Sequence, residues 1–233
     1  MVASTRHLRR LWPIPYSLTM PMPSWFALFV VLALPATAAP LTWSCGESKW
    51  DGRPKIVDGI FRARVTGDCS VDDAPPNAFP KLLETLVNLV KTSPRFTVHG
   101  GPWPVAREDI RGFRLDITDN VAEEGSPMAI RQSMFIGTDG KKKFVYETRS
   151  TDVQAEGRAS YLKSVSFFAE MVRDESPLVL ISLTNEVAVQ RPWYAFNFIF
   201  LPIGKDVTLD KFASVRDRLL NHFTKSFEES KSR

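Results

Sequence analysis

Glycine is scarce in this 233-residue chain, at 12 residues against 17 prolines, and cysteine is scarcer still, at two. With 44% hydrophobic residues, that composition excludes a collagen-like repeat, a disordered polymer and a disulfide miniprotein. No CxxC, GxSxG, P-loop or GxGxxG motif occurs, so a dithiol oxidoreductase, a nucleophile-elbow hydrolase and a nucleotide-binding enzyme lose their usual signatures. Beyond the leader only His99 and His222 remain, and neither shares metal-ligand spacing with the other or with a cysteine. Neither a cofactor nor a metal is expected. A strong charge of one sign is also missing. The formal charge is +4, but residues 1–38 hold Arg6, Arg9 and Arg10 and no acid, and without those three, 27 basic residues face 26 acids. A nucleic-acid partner thereby loses its electrostatic basis.

What is present begins with an address. Arg6–Arg10 forms a basic region, Trp25–Leu34 is an apolar run, and Ala36-Thr37-Ala38 supplies small residues for cleavage. This is the layout of a secretory signal peptide over residues 1–38, cut after Ala38, and it predicts a periplasmic or secreted protein. The run is about half of the roughly 20 residues a spanning helix needs. A lipoprotein reading is disfavoured because Trp43 is too bulky for the residues preceding a lipidated Cys45. In an oxidising compartment the remaining pair, Cys45 and Cys69, most often forms a disulfide, worth about 3–4 kcal/mol on the chain-entropy model. A reactive thiol is the alternative, with no CxxC to support it.

Along the mature chain, Ile56–Thr66 alternates as a half-buried strand, with Phe61, Ala63 and Val65 on one face and Arg62, Arg64 and Thr66 on the other. Asp72–Pro76 breaks it. Asn77–Lys91 carries Phe79, Leu82, Leu83, Leu86, Leu89 and Val90 on one helical stripe, with Asn77 placed to cap it. Pro94–Asp109, with Gly100-Gly101-Pro102-Trp103-Pro104, reads as irregular. Strands then follow at Arg111–Thr118, Met128–Ile136, Lys143–Arg149, Ser160–Val172, Leu178–Val189 and Tyr194–Leu201, with Asp139-Gly140 as a hairpin turn. Pro202-Ile203-Gly204 ends the last. A final helix capped at Asp206 or Thr208 carries Leu209, Phe212, Val215, Leu219 and Phe223. The fold class is therefore α+β: a curved antiparallel sheet of about seven strands packed on a long C-terminal helix.

That element order, closing on Tyr194–Leu201, Pro202-Ile203-Gly204 and the Phe212/Leu219 helix, resembles the START-like superfamily, the helix-grip or polyketide-cyclase/Bet v 1 group, over about residues 55–226. The resemblance makes residues 39–54 an N-terminal extension and 55–233 the START-like domain. It implies a curved sheet around the last helix and an apolar cavity between them. The extension and the Cys45/Cys69 pair depart from the pattern.

The residues expected to line such a cavity are Phe113, Gln132, Met134, Tyr146, Tyr161, Lys163, Phe167, Phe198, Phe212 and Leu219. Gln132 is a lone polar group on the Met128/Ile130/Met134 face, and Lys163 shares a face with Tyr161, Val165 and Phe167. Gln132 is either a polar anchor in an apolar pocket, a side chain re-aimed by a bulge or a hydrogen-bonded core residue, and Lys163, if its face is concave, lies at the cavity mouth or needs a partner. Other strand charges, including Arg62, Arg64, Glu147, Arg149 and Glu186, should mark the solvent face. Lys141-Lys142-Lys143 is a solubilising tip that could touch anionic headgroups transiently. No catalytic residue is assigned. The favoured reading is an exported binding or transfer protein for a small apolar ligand (a lipid, fatty acid, polyketide or sterol-like molecule). The alternatives are a cyclase or dehydratase using the same pocket, and a non-catalytic module of the cell envelope. Oligomeric state is left open.

Overall fold

The computed structural model describes residues 41–123, 126–155, 160–173, 178–191 and 197–231. The expected signal peptide lies outside them, as do Trp193, Tyr194 and Phe196. The described elements run β1 (Trp43–Cys45), β2 (Lys49–Trp50), β3 (Lys55–Val57), β4 (Ile60–Val71), α1 (Ala78–Thr92), β5 (Phe96–Arg107), β6 (Ile110–Glu123), β7 (Ser126–Thr138), β8 (Lys143–Ala155), β9 (Leu162–Arg173), β10 (Val179–Gln190) and α2 (Asn197–Lys231). All the strands join one antiparallel sheet in the order β1-β4-β10-β9-β8-β7-β6-β5, with β2 and β3 also on β4. Seven of its strands are long, and α1 and α2 cover one face. This is the α+β arrangement expected from the sequence.

The pleat decides which residues face the helices. Cross-strand rows run across the whole sheet. One row is Leu115, Met134, Thr148, Phe167, Asn185 and Val65. The next is Phe113, Ile136, Tyr146, Ala169, Leu183 and Gly67. A third is Thr138, Phe144, Met171, Ile181 and Cys69. Most of these residues belong to one core cluster with the apolar stripe of α1 and with Phe212, Leu220, Phe223 and Phe227 of α2. Gly67 has a packing reason: a Cβ there would sit 3.1 Å from the Phe212 ring. Phe144 meets Phe79 of α1 and Phe223 of α2 at ring-centroid distances of 6.1 and 6.2 Å.

Four boundaries differ from the sequence reading. The strand read over Ile56–Thr66 is two strands, because Asp58-Gly59 makes a hairpin turn with φ of 51° and 72°, and β4 continues to Val71. Asn77 stands at the N-cap of α1 but makes no side-chain capping bond. Phe96–Arg107, read as irregular, is an edge strand. An edge tolerates Pro102 and Pro104, whose missing N–H groups matter only in a central strand, and the ladder slips around Gly100. The expected strand Tyr194–Leu201 does not appear among the described residues, which are helical from Asn197 onward, through Pro202 and Gly204. Both sides of β4 are already taken, by β10 and by β1–β3, so no edge is open there for a further strand.

Cys45 and Cys69 are register partners across β1 and β4 and are joined by a disulfide. The segment from Trp43 to Val57 runs back along β4 from the Asp58-Gly59 turn, so two strands of the N-terminal extension are part of the sheet. Trp43 then reaches the last helix. Its indole N–H donates to Thr224 Oγ1 at 2.9 Å, and its ring lies 6.2–6.5 Å from Phe223 and Phe227.

Two predictions follow from these contacts. A Cβ at Gly112 would overlap the Ile136 carbonyl oxygen on β7. Backbone cannot yield as a side chain can, so Gly112→Ala should lower unfolding stability by about 2–4 kcal/mol, read by denaturant titration. At the β7–β8 turn, the Asp139 carboxylate accepts backbone N–H bonds from Lys141, Lys142 and Lys143 at 2.8–2.9 Å. Burial works against its ionisation, but these bonds outweigh it and hold the carboxyl below its ordinary value of 3.8. The stabilisation is complete above that value and fades as pH falls through the depressed one. Asp139→Ala should cost about 1 kcal/mol at pH 7, and calorimetry should show the gap to the parent protein closing as the pH is lowered beyond the ordinary carboxyl value of 3.8.

Candidate functional site

Alternation along the strands sends the apolar residues to the helix face, but not uniformly. Under the C-terminal part of α2 the space is filled: Phe144, Met171, Ile181, Phe223 and Phe227 are all at most 1% exposed. In the neighbouring rows the character changes. Gln132 on β7, Thr148 on β8 and Asn185 on β10 are 7%, 7% and 5% exposed, and each lies among apolar neighbours on the helix face. Thr148 and Asn185 share one row with Phe167 between them, which sets them about 10 Å apart at ~4.8 Å per strand. Gln132 sits one residue pair along, opposite Ser150, where a bulge at Thr151 shifts the register. None of the three side chains makes a hydrogen bond within the described residues.

Other groups complete the surroundings. The Tyr146 ring stands edge-on to Phe167 at 6.2 Å. Burial, and secondarily the Asp119 carboxylate, push the Tyr146 phenol above its ordinary value against the opposing effect of Arg95, so it remains a neutral hydroxyl. Asp119 is 8% exposed and holds Arg95 through two bonds, at 2.5 and 2.7 Å. The helix axis also bears on this region. Phe212 rests on Gly67 in one row, while Phe223 and Phe227 lie over Phe144 and Trp43 further on. Traced backward from Phe212, α2 leads toward the row of Thr148 and Asn185 and lies against β3, β4 and β10.

The expected site residues divide accordingly. Gln132, Met134, Tyr146 and Phe167 come together on the helix face around Thr148 and Asn185. Phe113 lies on the same face near the β5–β6 edge, where it helps line a shallow apolar groove with Leu83 of α1 and Val105. Phe212 and Leu219 belong to the packed core. Phe198 is in the first turn of α2, and its side chain lies outside the described residues. Tyr161 stands in a short helical turn before β9 and is half-buried. Lys163 is exposed and does not share a face with Phe167. Ser164 pairs with Ala188 and Leu162 with Val189, so Lys163 is the extra residue of a bulge that turns it out of the alternation.

Thr148 and Asn185 were missed as site residues. The signal was a single amide at an inward position of the β-branched run Leu178–Val189, between Leu183 and Val187. His99 is exposed on β5 with Nε2 2.7 Å from Thr118 Oγ1. His222 lies late in α2, and burial, then Lys225 and Arg95, hold it below its ordinary value. It is therefore neutral near pH 7. Among the described residues no cluster of three His, Cys, Asp or Glu side chains could hold a metal, and no helix is long and apolar enough to cross a membrane.

No family model and no curated protein matches this chain. Among solved structures it is similar to human STARD10, at 7% identity with a TM-score of 0.38, over 78% of this chain and 74% of that one. It is also similar to the human StarD13 lipid transfer and protein localization domain, at 11% identity and a TM-score of 0.33, over 77% and 89% of the two chains. Ara h 8.0201 aligns at 14% identity with a TM-score of 0.31, over 70% of this chain and 99% of that one. The architecture itself rests on the strand order and registers given above.

Proposed function

We propose that this protein is an exported carrier that binds an apolar molecule bearing one or two polar groups, held on the helix face of the sheet beneath the N-terminal part of α2. The observation that carries this reading is the set of Gln132, Thr148 and Asn185. These three side chains are largely buried among apolar neighbours, and each hydrogen bond that a ligand makes to one of them would contribute about 1 kcal/mol. A ligand whose polar groups meet these side chains, and whose body lies along Met134, Phe167 and Tyr146, gains those bonds. An apolar lining with a few convergent polar groups is the usual build of a small-molecule site. A lipid, fatty acid, polyketide or sterol-like molecule has the required chemistry. The neutral Tyr146 hydroxyl adds a donor at the same place. Export rests on the basic region, apolar run and Ala36-Thr37-Ala38 of the leader.

Native mass spectrometry of protein purified without detergent should show a mass excess that solvent extraction removes. Asn185→Leu and Gln132→Leu should each reduce retention of the extracted molecule about 10-fold, as expected when a buried hydrogen bond worth about 1.5 kcal/mol is lost. Both variants should melt at or above the parent temperature in the ligand-free state, because an unpartnered polar group has been removed. No bound molecule, together with a lower melting temperature in both variants, would assign these three residues to the packed interior. For export, N-terminal sequencing of material recovered outside the cytoplasm should begin at Ala39; a sequence beginning at Met1 would refute cleavage.

A further inference from the structure

The opposite face of the same strands carries a groove of about 920 Å³, at the upper end of the size of small-ligand sites. Its shape follows from the register. One outward row across β8, β9, β10 and β4 reads Arg149, Ser166, Glu186 and Arg64. The next reads Ser164, Ala188, Arg62 and Lys55 across β9, β10, β4 and β3. On β9 and β10 the side chains are short (Ser164, Ser166, Thr184 and Ala188) except Glu186, whose carboxylate is drawn to Arg64 at the β4 border, while arginines and a lysine stand on the flanking strands. The result is a trough with a floor of hydroxyls from Ser164, Ser166 and Thr184, and with the Phe168 ring at one end. The cationic borders are about 14 Å apart, three strand spacings of ~4.8 Å.

The charges of the trough do not cancel. Arg64 bridges Asp51 and Glu186 at 3.0 and 3.3 Å. Glu147 is shared between Arg107 and Arg149 at 2.7 and 2.6 Å, and Arg149 remains 76% exposed. Those pairs use up the three acids of the lining. Arg62, Lys55 and Arg53 then remain without an ion pair among the described residues, all on the β4 side and all exposed. We propose that this trough is a second binding site, which takes an acidic oligosaccharide whose carboxylates meet Arg62, Lys55 and Arg149 and whose hydroxylated rings lie on the serine floor against Phe168.

Two features favour a saccharide over an acidic peptide. The floor of the trough is the face of β8, β9, β10 and β4, each paired on both sides, so the floor offers no free backbone N–H or C=O to an added strand. The floor supplies instead a line of hydroxyl groups that both donate and accept, matched to a polyol. A nucleic acid is disfavoured because Phe168 is the one outward-facing aromatic ring that the lining offers for stacking bases. The site is independent of the apolar one: Ser166 and Glu186 face outward where their chain neighbours Phe167 and Asn185 face inward.

The test is calorimetric titration of the purified protein with a hexamer of galacturonic acid, alongside neutral maltohexaose and hexaglutamate. The expected result is binding of the uronate hexamer that weakens as salt rises, with no detectable binding of maltohexaose. Arg62→Gln and Arg149→Gln should each weaken it about 3- to 5-fold, and the double variant about 10-fold or more. Both residues are exposed, so melting temperatures should stay within about 2 °C of the parent, and Lys55→Gln provides a further variant at the border. Absence of uronate binding, or an unchanged affinity in all variants, would overturn the proposal. Hexaglutamate binding as tightly as the uronate would overturn the saccharide assignment and make the trough a site for acidic peptides.

Discussion

An antiparallel strand presents its side chains to opposite faces with a strict period of two, and in a sheet of seven long strands that alternation must agree from edge to edge. Here the agreement is set by the pairing of β4 with β10, which joins the first long strand to the last over 12 register positions. Once those two are in register, the inward residues of the meander from β5 to β10 fall on one surface, and only one surface needs covering. Both helices go to that side. At Gly67 the Phe212 ring of α2 packs directly on the strand, so a Cβ there would press on the ring at 3.1 Å. On the same strand the Cys45–Cys69 bond fastens β1 to β4 and carries Trp43 to the last turns of α2. The N-terminal extension is thus an edge of the sheet and a clamp on the closing helix.

The covered face is not uniform, and its two regions do different work. Beneath α1 and the C-terminal part of α2, aromatic rings from both helices and the sheet interlock, which gives the domain its stability. In the next rows, Gln132, Thr148 and Asn185 interrupt the apolar surface with groups that packing alone does not satisfy. Stability calls for removing such groups, and ligand recognition calls for keeping them. Their presence in adjacent rows, with Tyr146 and Phe167 alongside, is the feature on which the proposed binding surface rests. The outer face shows the same economy of position: the residues that alternate with the apolar lining are the serines, glutamates and arginines that shape the trough.

Particular residues show how far pattern can be read. Gln132 was visible as a polar group on an apolar face, because its strand alternates cleanly through Met128, Ile130 and Met134. Lys163 gave the same signal and belongs elsewhere, since the bulge at the start of β9 inserts one residue and the alternation is lost on passing it. Thr148 and Asn185 sit on strands whose inward face was legible, yet their nearness was not. Phe167 stands between them in space, 19 residues from one and 18 from the other along the chain, and only the two registers of β9 bring them into one row.

The sequence by itself determined the α+β class, the order of strand, helix, strands and long final helix, and the outward face of Arg62, Arg64, Glu147, Arg149 and Glu186, although Arg107 and Arg149 cover the Glu147 carboxylate. Local periodicity carries all of these, because a two-residue or 3.6-residue repeat is a property of a segment and its immediate neighbours. The Cys45–Cys69 bond followed from there being only two cysteines. Tertiary structure alone decided the strand status of Phe96–Arg107 and the helical status of the described residues from Asn197. In the first case an edge position made prolines harmless. In the second both sides of β4 were already paired, so apolar residues that alternate like a strand had no strand to join. Tertiary structure also decided where the two candidate sites lie, since each is assembled from residues on several strands whose registers, and not their own sequences, set them side by side.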